Sequence, residues 1–380
     1  MPNIILKPHR EQVKIINAEK RLAALDLSQF ERRVAEIEEL LIYCSENYCS
    51  DLYIKVNDSP YIMKRGVVYK VPCYPTDSDV WARFEEAGHI SNENNDEYME
   101  TRMLDVSVEV HIPPESYMSG VTDHTFFRYR ASFGFSGGSR VGTFRMITLE
   151  DPNFEMLNFP EECVNVLRKA YSEESGIIFL TGPTGSGKTT TQTACFNDLT
   201  EAGGPLSNKV IIGLEDPIEY VFKERDNVKI NQKELNKDFL SFELGVKQAL
   251  REHPNIILVG ECRDKPVINA AIEAARTGHL VSTSFHAADV GGTINRLAYH
   301  LDNDINLVYD LIINLKLIMS QRMIKGVGVD TQFVIFNDEI TMRVLDIIQS
   351  GKNITTEINS FFHDENLIKQ GFVKDWSYKK

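Results

Sequence analysis

The sequence has few of the features that mark a secreted, membrane-spanning or nucleic-acid-binding protein. Its six cysteines include no C-x-x-C pair, which argues against a disulfide framework and a zinc site. No stretch approaches the roughly 18 apolar residues that span a bilayer, and the first residues lack the apolar run of a signal peptide. We therefore expect a reduced, cytoplasmic protein whose association with a membrane is peripheral.

Basic residues are also in deficit. The chain has 41 Lys and Arg against 55 Asp and Glu, which gives a net charge of −14. A nucleic-acid-binding protein usually carries the opposite balance, because it must neutralise phosphates. The composition therefore disfavours direct binding of duplex DNA.

What is present is the composition of an ordinary globular chain. Of 380 residues, 42% are hydrophobic, 25% are charged and only 14 are Pro, so a disordered or fibrous protein is excluded. At about 150 residues per domain, this length predicts two or three domains with a substantial core.

The first 150 residues predict a small α+β domain. Residues 1–28 are polar without clear periodicity, and we interpret them as an N-terminal arm. Apolar residues spaced by three and four between Phe30 and Tyr48 predict a helix. Segments of alternating or β-branched character predict an antiparallel sheet over 51–56, 61–71 with a turn at Gly66, 106–111, 126–135 and 140–147. We assign this domain to 29–150.

After a Pro-punctuated linker at 151–160, the pattern becomes that of an α/β domain over 161–365, followed by a C-terminal tail at 366–380. Short apolar runs without polar alternation predict strands buried on both faces of a parallel sheet, at 177–180, 210–214, 256–259 and 280–285. Helical spacing between them predicts helices over 239–250 and 305–319.

A phosphate-binding loop follows the first of these strands. The segment GPTGSGKT at 182–189 fits G-x-x-x-x-G-K-[ST] between a strand and a helix, which is the context that this motif requires. Its glycines let successive backbone N–H groups face a phosphate, and the helix N-terminus adds a positive dipole end. Lys188 would neutralise β- and γ-phosphate charge, and Thr189 would place its hydroxyl on Mg²⁺. The alternative is a Gly-rich turn without chemistry. The predicted nucleotide-binding residues are Gly182, Pro183, Thr184, Gly185, Ser186, Gly187, Lys188, Thr189 and Thr190.

Carboxylates follow the second strand, where the sequence reads EDPIE with Glu215, Asp216 and Glu219. Ligands gather at the carboxyl ends of parallel strands, and adjacent acids there are costly unless a cation or a polarised water uses them. The alternative is that Asp216 caps a helix beginning at Pro217.

The third and fourth strands deliver Glu261 and His286. An apolar strand ending in an acid is typical of the Walker B position, and Glu261 would hold Mg²⁺ through water or orient the attacking water. An imidazole at a strand end can hydrogen-bond a γ-phosphate and so report its loss. A structural role for His286 is the alternative, although the neighbouring acids and P-loop favour function.

Four segments in this order resemble the Walker A, Asp box, Walker B and His box of the secretion and pilus traffic ATPases: GPTGSGKT, GLEDPIEYVF, IILVGECRD and TGHLVSTSFHAADVGGTINRL. The run ENYCSDLYIKVNDSPYIMKRGVVYKV is also similar to the start of that family, so the resemblance spans roughly residues 30–350. It is PilT-like, and the style of the first domain resembles most the DotB-type ATPases of type IVB (Dot/Icm) secretion and plasmid conjugation.

This resemblance implies a PAS-like α+β domain joined to a RecA-like P-loop ATPase domain, six copies in a ring, and ATP and Mg²⁺ as ligands. It implies that Glu215 activates water and that Glu261 and His286 are the Walker B acid and His-box histidine. It makes Arg130, Arg140 and Arg145 candidate fingers for the nucleotide, with plain strand-surface charge as the alternative. It implies recruitment to the cytoplasmic face of an inner-membrane secretion or conjugation complex that moves a protein or nucleoprotein substrate.

Departures from the family pattern argue against some branches of the family. The four-cysteine zinc subdomain of many assembly and type II members is absent, and the retraction motif of pilus retraction ATPases is not recognisable in TMRVLDII at 341–348. Arg276 stands where an acidic residue is frequent in the family, and we have no physical account of it.

We therefore predict a hexameric ATPase motor that drives substrate transport or machine assembly in type IV secretion. The alternatives are a pilus retraction ATPase, a RecA-like nucleic-acid translocase, which the acidic charge disfavours, and a non-hydrolysing nucleotide-gated scaffold. The scaffold ranks last, because every candidate catalytic position is filled.

Overall fold

The computed structural model describes residues 20, 23–89, 98–114, 116, 126–147, 152–155, 157–201, 204, 206–222, 225–324 and 328–377. Most of the predicted N-terminal arm, residues 1–19 and 21–22, lies outside this part of the chain. The chain divides into two compact units, Met1–Glu150 and Asp151–Lys380. None of the described helices combines the length and apolar character needed to cross a bilayer.

Unit 1 is an α+β domain built on a six-stranded antiparallel sheet. Among its described residues are the helices α1 (Ile37–Glu46) and α2 (Ser78–Phe84), and residues 98–101 are also helical. Its strands are β1 (Asp51–Lys55), β2 (Tyr61–Lys64), β3 (Val67–Lys70), β4 (Leu104–His111), β5 (Phe126–Ser136) and β6 (Ser139–Ile147). They pair in the order β3-β2-β1-β6-β5-β4, with neighbours antiparallel.

Alternation along these strands places aromatic side chains in one core. Phe133 of β5 and Phe144 of β6 meet edge to face with ring centroids 5.5 Å apart, and Trp81 of α2 packs on Phe133 at 5.7 Å. Each such pair adds about 0.5–1.5 kcal/mol beyond the burial of its area. The period-two pattern is satisfied because the residues between them, such as Arg130 and Arg145, lie on the other face.

Unit 2 is an α/β domain around an eight-stranded sheet in the order β14-β13-β12-β7-β11-β10-β8-β9. The five pairs from β12 to β9 are parallel, and β13 and β14 add antiparallel pairs at one edge. The strands are β7 (Gly176–Thr181), β8 (Val210–Glu215), β9 (Lys229–Glu234), β10 (Ile256–Val259), β11 (Leu280–Phe285), β12 (Leu315–Ile324), β13 (Gly328–Ile335) and β14 (Val373–Lys374). β7, β10 and β11 are buried along their whole length, as a sheet covered on both faces requires.

Helices follow the strands in the alternation expected of parallel crossovers. They are α3 (Glu161–Tyr171), α4 (Lys188–Leu199), α5 (Phe242–Ala249), α6 (Lys265–Arg276), α7 (Val290–His300), α8 (Ile305–Asn314), α9 (Asp338–Gln349), α10 (Ile354–Ser360) and α11 (Glu365–Lys369). The RecA-like α/β class with a preceding α+β domain, predicted from the sequence, is confirmed.

The helix predicted over 305–319 was wrong at its C-terminal end. α8 stops at Asn314, and Leu315 and Met319 belong to β12, which pairs in parallel with β7. Both side chains are buried. A continuous apolar run satisfies a helical and a buried-strand pattern equally, so spacing alone could not separate the two.

Two segments interpreted as connections are part of the core of unit 2. In the predicted linker 151–160, Phe159 is buried and Phe154 and Leu157 pack against the same cluster. In the predicted tail 366–380, Leu367 is fully buried and Val373 pairs with Val334 in the sheet. Short apolar segments flanked by polar residues carry little periodicity, which is why the sequence pattern did not show their packing.

Candidate functional site

The loop between β7 and α4 has the backbone shape that a phosphate cradle needs. Gly185 and Gly187 adopt φ of 76° and 85°, a region that side chains with a Cβ avoid. Gly182 adopts φ of 150°, and a Cβ there would lie 2.3 Å from the carbonyl oxygen of Gln321. Residues Pro183, Thr184 and Gly185 form the exposed crest of the loop. The backbone geometry therefore requires glycine at these positions.

Lys188 begins α4 and is almost fully buried beneath the loop. Its ammonium donates to the carbonyl oxygens of Gly182 and Pro183, at 3.0 and 3.2 Å. Burial lowers the pKa of Lys188, and the negative charges of Glu261 and Glu219 partly oppose that shift. A cation held by neutral carbonyl groups is poised to exchange them for phosphate oxygens.

Gln321 of β12 supports the loop from below, and sequence reasoning missed it. Its side chain is fully buried, and its Nε2 donates to the carbonyl oxygen of Ser186 at 2.7 Å. The hydroxyl of Ser186 and the Oε1 of Gln321 are both buried without a hydrogen-bond partner among the described residues. The segment SQRM gives no motif signal, so only the pairing of β12 with β7 reveals this contact.

Glu215 stands at the end of β8, with its side chain buried. Its Oε1 accepts a hydrogen bond from Nε2 of Gln232 on the neighbouring strand β9, at 2.7 Å. Pro217 begins no helix in the described residues, so the alternative in which Asp216 caps a helix is wrong. Asp216 instead lies 3.5 Å from the guanidinium of Arg263.

Glu261 and His286 meet beside the loop. Nε2 of His286 lies 3.2 Å from Oε1 of Glu261, and Nε of Arg263 lies 2.8 Å from the other carboxylate oxygen. Burial lowers the pKa of His286, the positive charge of Lys188 lowers it further, and Glu261 opposes both. The imidazole is therefore neutral near pH 7 and donates its Nε2–H to Glu261.

The residues present fit a magnesium ion that shares its ligands with a nucleotide. Thr189, in the first turn of α4, offers a hydroxyl, and Glu261 offers a carboxylate. Within the described part of the chain no group of three His, Cys, Asp or Glu could hold a metal alone. Mg²⁺ in phosphate sites keeps waters and binds one or two protein oxygens, so a dedicated cage is not needed. Because Glu261 is already engaged by Arg263 and His286, it would reach the ion through water.

The three candidate arginines of unit 1 have different settings. Nη1 of Arg140 donates to both carboxylate oxygens of Glu85, each at 2.8 Å. Arg145 pairs with Asp51 at 3.0 Å and is mostly exposed. Arg130 lies directly opposite Arg145 across β5 and β6, and no carboxylate partner is found for it among the described residues. Arg140 and Arg145 are thus already paired with carboxylates, and a nucleotide contact by Arg130 stays a prediction.

The site residues of unit 2 converge because four parallel strands end at one edge. β7, β8, β10 and β11 are neighbours in the sheet, and each is followed at its carboxyl end by a predicted residue. Lys188, Glu215, Glu261 and His286 thus come from segments that are up to about 100 residues apart in sequence. This is the location where open α/β sheets bind ligands.

The type II/IV secretion system protein family matches residues 135–353. The type IV pilus retraction ATPase PilT of Pseudomonas aeruginosa is 31% identical over 297 residues, which cover 77% of this chain and 79% of that protein. Among solved structures, the pilus retraction motor PilT with bound ADP has a TM-score of 0.70 at 27% identity, with 90% of this chain and 95% of that chain covered. The ATPase DotB of Legionella pneumophila has a TM-score of 0.67 at 24% identity, with 90% and 94% covered, a likeness of fold.

Proposed function

The chain belongs to the type II/IV secretion system protein family and is an ATP hydrolase, and we propose that it works as a homo-hexameric motor of a type IV secretion or conjugation apparatus. The observation that carries this proposal is the set of Lys188, Glu215, Glu261 and His286 at one edge of the sheet of unit 2. A cation, two acids and a neutral imidazole around a phosphate loop are the groups that triphosphate cleavage needs.

In the proposed reaction, ATP places its β- and γ-phosphates over the backbone N–H groups of the loop and the N-terminus of α4. Lys188 exchanges the carbonyl oxygens of Gly182 and Pro183 for phosphate oxygens. Glu215 accepts a proton from the attacking water, and the water oxygen bonds to the γ-phosphorus while the bond from that phosphorus to the β–γ bridging oxygen breaks. ADP and inorganic phosphate are the products. His286 would donate its Nε2–H to a γ-phosphate oxygen in place of Glu261 and return it to Glu261 when the phosphate leaves, and this exchange would report the loss.

Magnesium, held by Thr189 and through water by Glu261, would supply charge neutralisation on the phosphate oxygens. The other loop residues would bind the phosphates through their backbone N–H groups. The loop can present those groups only because Gly185 and Gly187 adopt positive φ.

For the mechanical step, we propose that ATP draws units 1 and 2 together and that loss of the γ-phosphate releases them. Of the three candidate arginines of unit 1, Arg130 is the proposed contact to the nucleotide, because Arg140 and Arg145 are already paired with Glu85 and Asp51. The fold of the ADP-bound PilT motor and the family supply the support for a ring of six copies. The proposed partners are components of an inner-membrane secretion or conjugation complex at its cytoplasmic face, with a protein or nucleoprotein as substrate.

Pilus retraction is the second candidate function. The similarity to PilT over 77% of this chain favours it, and the unrecognisable retraction motif at 341–348 opposes it. In a host that carries both machines, deletion of this gene would then abolish twitching and leave secretion intact.

A nucleic-acid translocase is a third, different class. It predicts hydrolysis stimulated by DNA or RNA and steeply salt-dependent binding, which a net charge of −14 opposes. Filter binding at low salt separates it from the motor.

The test of the proposed function is phosphate release by Lys188→Ala beside the parent protein. We expect turnover to fall at least a hundredfold, because the γ-phosphate charge loses its buried counterion. Lys247→Ala, at an exposed lysine of α5, is the matched control and retains turnover. Unchanged turnover in K188A would refute the reaction, and a monomer by light scattering with and without ATP would refute the ring.

A further inference from the structure

We infer that Gln232, outside every motif of the site, is the positioning residue that holds the carboxylate of Glu215 in its reactive orientation. The inference rests on the role proposed above for Glu215. It concerns the edge of the sheet where β8 and β9 run side by side, and the segment 216–222 that leaves β8 there.

The side-chain amide of Gln232 makes three hydrogen bonds that fix its orientation. Its Nε2 donates to Oε1 of Glu215 and to the carbonyl oxygen of Tyr220, both at 2.7 Å. Its Oε1 accepts from the backbone N–H of Phe222 at 2.9 Å. Two acceptors around the nitrogen and one donor at the oxygen leave no room for the flipped amide. Both amide protons and the carbonyl oxygen are therefore used.

These contacts connect the segment after β8 to Glu215, the proposed proton acceptor. The side-chain amide of Gln232 bonds to backbone groups of Tyr220 and Phe222. It thereby satisfies backbone groups that would otherwise need a neighbouring strand. The same nitrogen then reaches Glu215. The hydroxyl of Tyr220 lies 3.5 Å from that of Thr190 in the first turn of α4, which links the assembly to the phosphate loop.

A second, independent observation comes from Gly213. In the register of β8 and β9, Gly213 stands opposite Gln232, and Glu215 stands opposite Glu234. A Cβ at position 213 would lie 3.2 Å from both the Cγ of Gln232 and the Oε1 of Glu215. The side chains of Gln232 and Glu215 thus occupy the space that a larger side chain at position 213 would fill. Glycine stands there although it weakens a strand interior.

The chemical consequence is orientation of the water-activating group. A carboxylate that can rotate about its side-chain torsions spends part of its time facing away from the water. An N–H donor fixed on the sheet removes that freedom and is worth more to a charged acceptor than to a neutral one. Gln232 does not touch the reacting atoms, so its effect passes through Glu215 alone.

The experiment is a double-mutant cycle with Gln232→Met and Glu215→Gln, read as single-turnover ATP cleavage and as affinity for a fluorescent ADP analogue. Methionine keeps the length and removes the donor. We expect Q232M to slow cleavage about 10- to 100-fold and to change ADP affinity less than threefold. In the E215Q background, Q232M has no further effect, because the residue through which it acts is already disabled. Gln248→Met makes the same chemical change at an exposed position of α5 and leaves both quantities unchanged.

The outcomes separate the inference from the proposed function. If E215Q retains parental cleavage, the role of Glu215 fails, and this inference fails with it. If E215Q blocks cleavage while Q232M is like the parent, only the inference is overturned. Additive effects in the double variant also overturn it, since a merely structural role slows cleavage in any background.

Gly213→Ala tests the same idea without removing a donor, in case Q232M does not fold. The added methyl group pushes on the pair, so we expect slowed cleavage with retained ADP affinity. Parental cleavage in G213A, with ADP affinity retained, would contradict the inference.

Discussion

Nε2 of His286 lies 3.2 Å from Oε1 of Glu261, although the two residues follow different strands of the sheet, β11 and β10. Burial and the nearby Lys188 lower the pKa of His286, so the ring is neutral and acts as a donor. The carboxylate of Glu261 is therefore contacted at both oxygens, by the imidazole at one and by Arg263 at the other.

Glu261→Gln is expected to reduce ATP turnover at least a hundredfold, because general acid–base and charge-orienting groups contribute about 10²–10⁴. ADP affinity should change by less than about threefold. Phosphate release and fluorescent-ADP titration measure the two quantities. Glu273→Gln on the exposed side of α6 is the control. Turnover of E261Q within twofold of the parent would be incompatible with this role.

Gln321→Leu is expected to weaken ADP binding about 5- to 30-fold. The substitution leaves the carbonyl oxygen of Ser186 without its buried donor, at a cost of about 1–2 kcal/mol in the loop conformation. Equilibrium titration with a fluorescent ADP analogue measures it. Gln349→Leu, at an exposed position of α9, is the matched control. An unchanged affinity in Q321L would show that the loop keeps its shape without this support.

Arg130 and Arg140 should separate into a functional and a structural residue. Arg140→Ala breaks the ion pair with Glu85 and is expected to lower the stability of unit 1 by about 1 kcal/mol. Arg130→Ala breaks no ion pair found among the described residues, so we expect thermal stability to be retained while ATP turnover falls at least tenfold. Thermal unfolding and phosphate release are measured on both. Equal turnover in R130A and the parent would assign Arg130 to surface charge.

Leu367→Ala tests whether the segment after 365 is part of the ATPase core. Leu367 is fully buried, so truncation is expected to destabilise unit 2 by about 2–5 kcal/mol. Its neighbour Ile368 is 48% exposed, and Ile368→Ala should change stability by less than about 0.5 kcal/mol. Chemical denaturation, followed by a spectroscopic probe in unit 2, compares the unfolding free energies of the two variants. Equal stability would show that this segment is not part of the core.

Asp364 supplies a pH-dependent contribution to the same region. The hydrogen bond from Arg343 lowers the pKa of Asp364, and backbone N–H groups of α11 act in the same direction. Since the folded-state pKa is lowered, the contribution is full above about pH 4 and is lost as the pH falls further. Asp364→Asn keeps a good N-cap without the charge.

The thermal midpoint of D364N should therefore lie slightly below that of the parent between pH 5 and 7. The difference should shrink as the pH falls below about 4. Thermal scans across this range check it, with Asp346→Asn at an exposed position of α9 as the control. A difference in thermal midpoint that grows as the pH falls would show that ionised Asp364 does not stabilise the fold.

Much of the ATPase unit could be predicted because its signals are local. Strands β7, β8, β10 and β11 are short apolar runs, and at or just after their carboxyl ends stand Gly182, Glu215, Glu261 and His286. A parallel sheet brings such ends together whatever the loops between them do. The error over 305–319 arose where this locality ends, since the strand character of Leu315 and Met319 comes from pairing with β7.

The sequence by itself determined the phosphate-loop motif, the acids and imidazole at strand ends, the acidic net charge and the α/β class, since each depends on residue type and spacing. The RecA-like assignment came from the family resemblance. Only the tertiary structure decided that Gln232 grips Glu215, that Gln321 supports Ser186, that Arg130 faces Arg145 and that Leu367 is core. Those contacts join residues from separate strands and helices, and their register is set by the packing of the whole sheet, which no local pattern encodes.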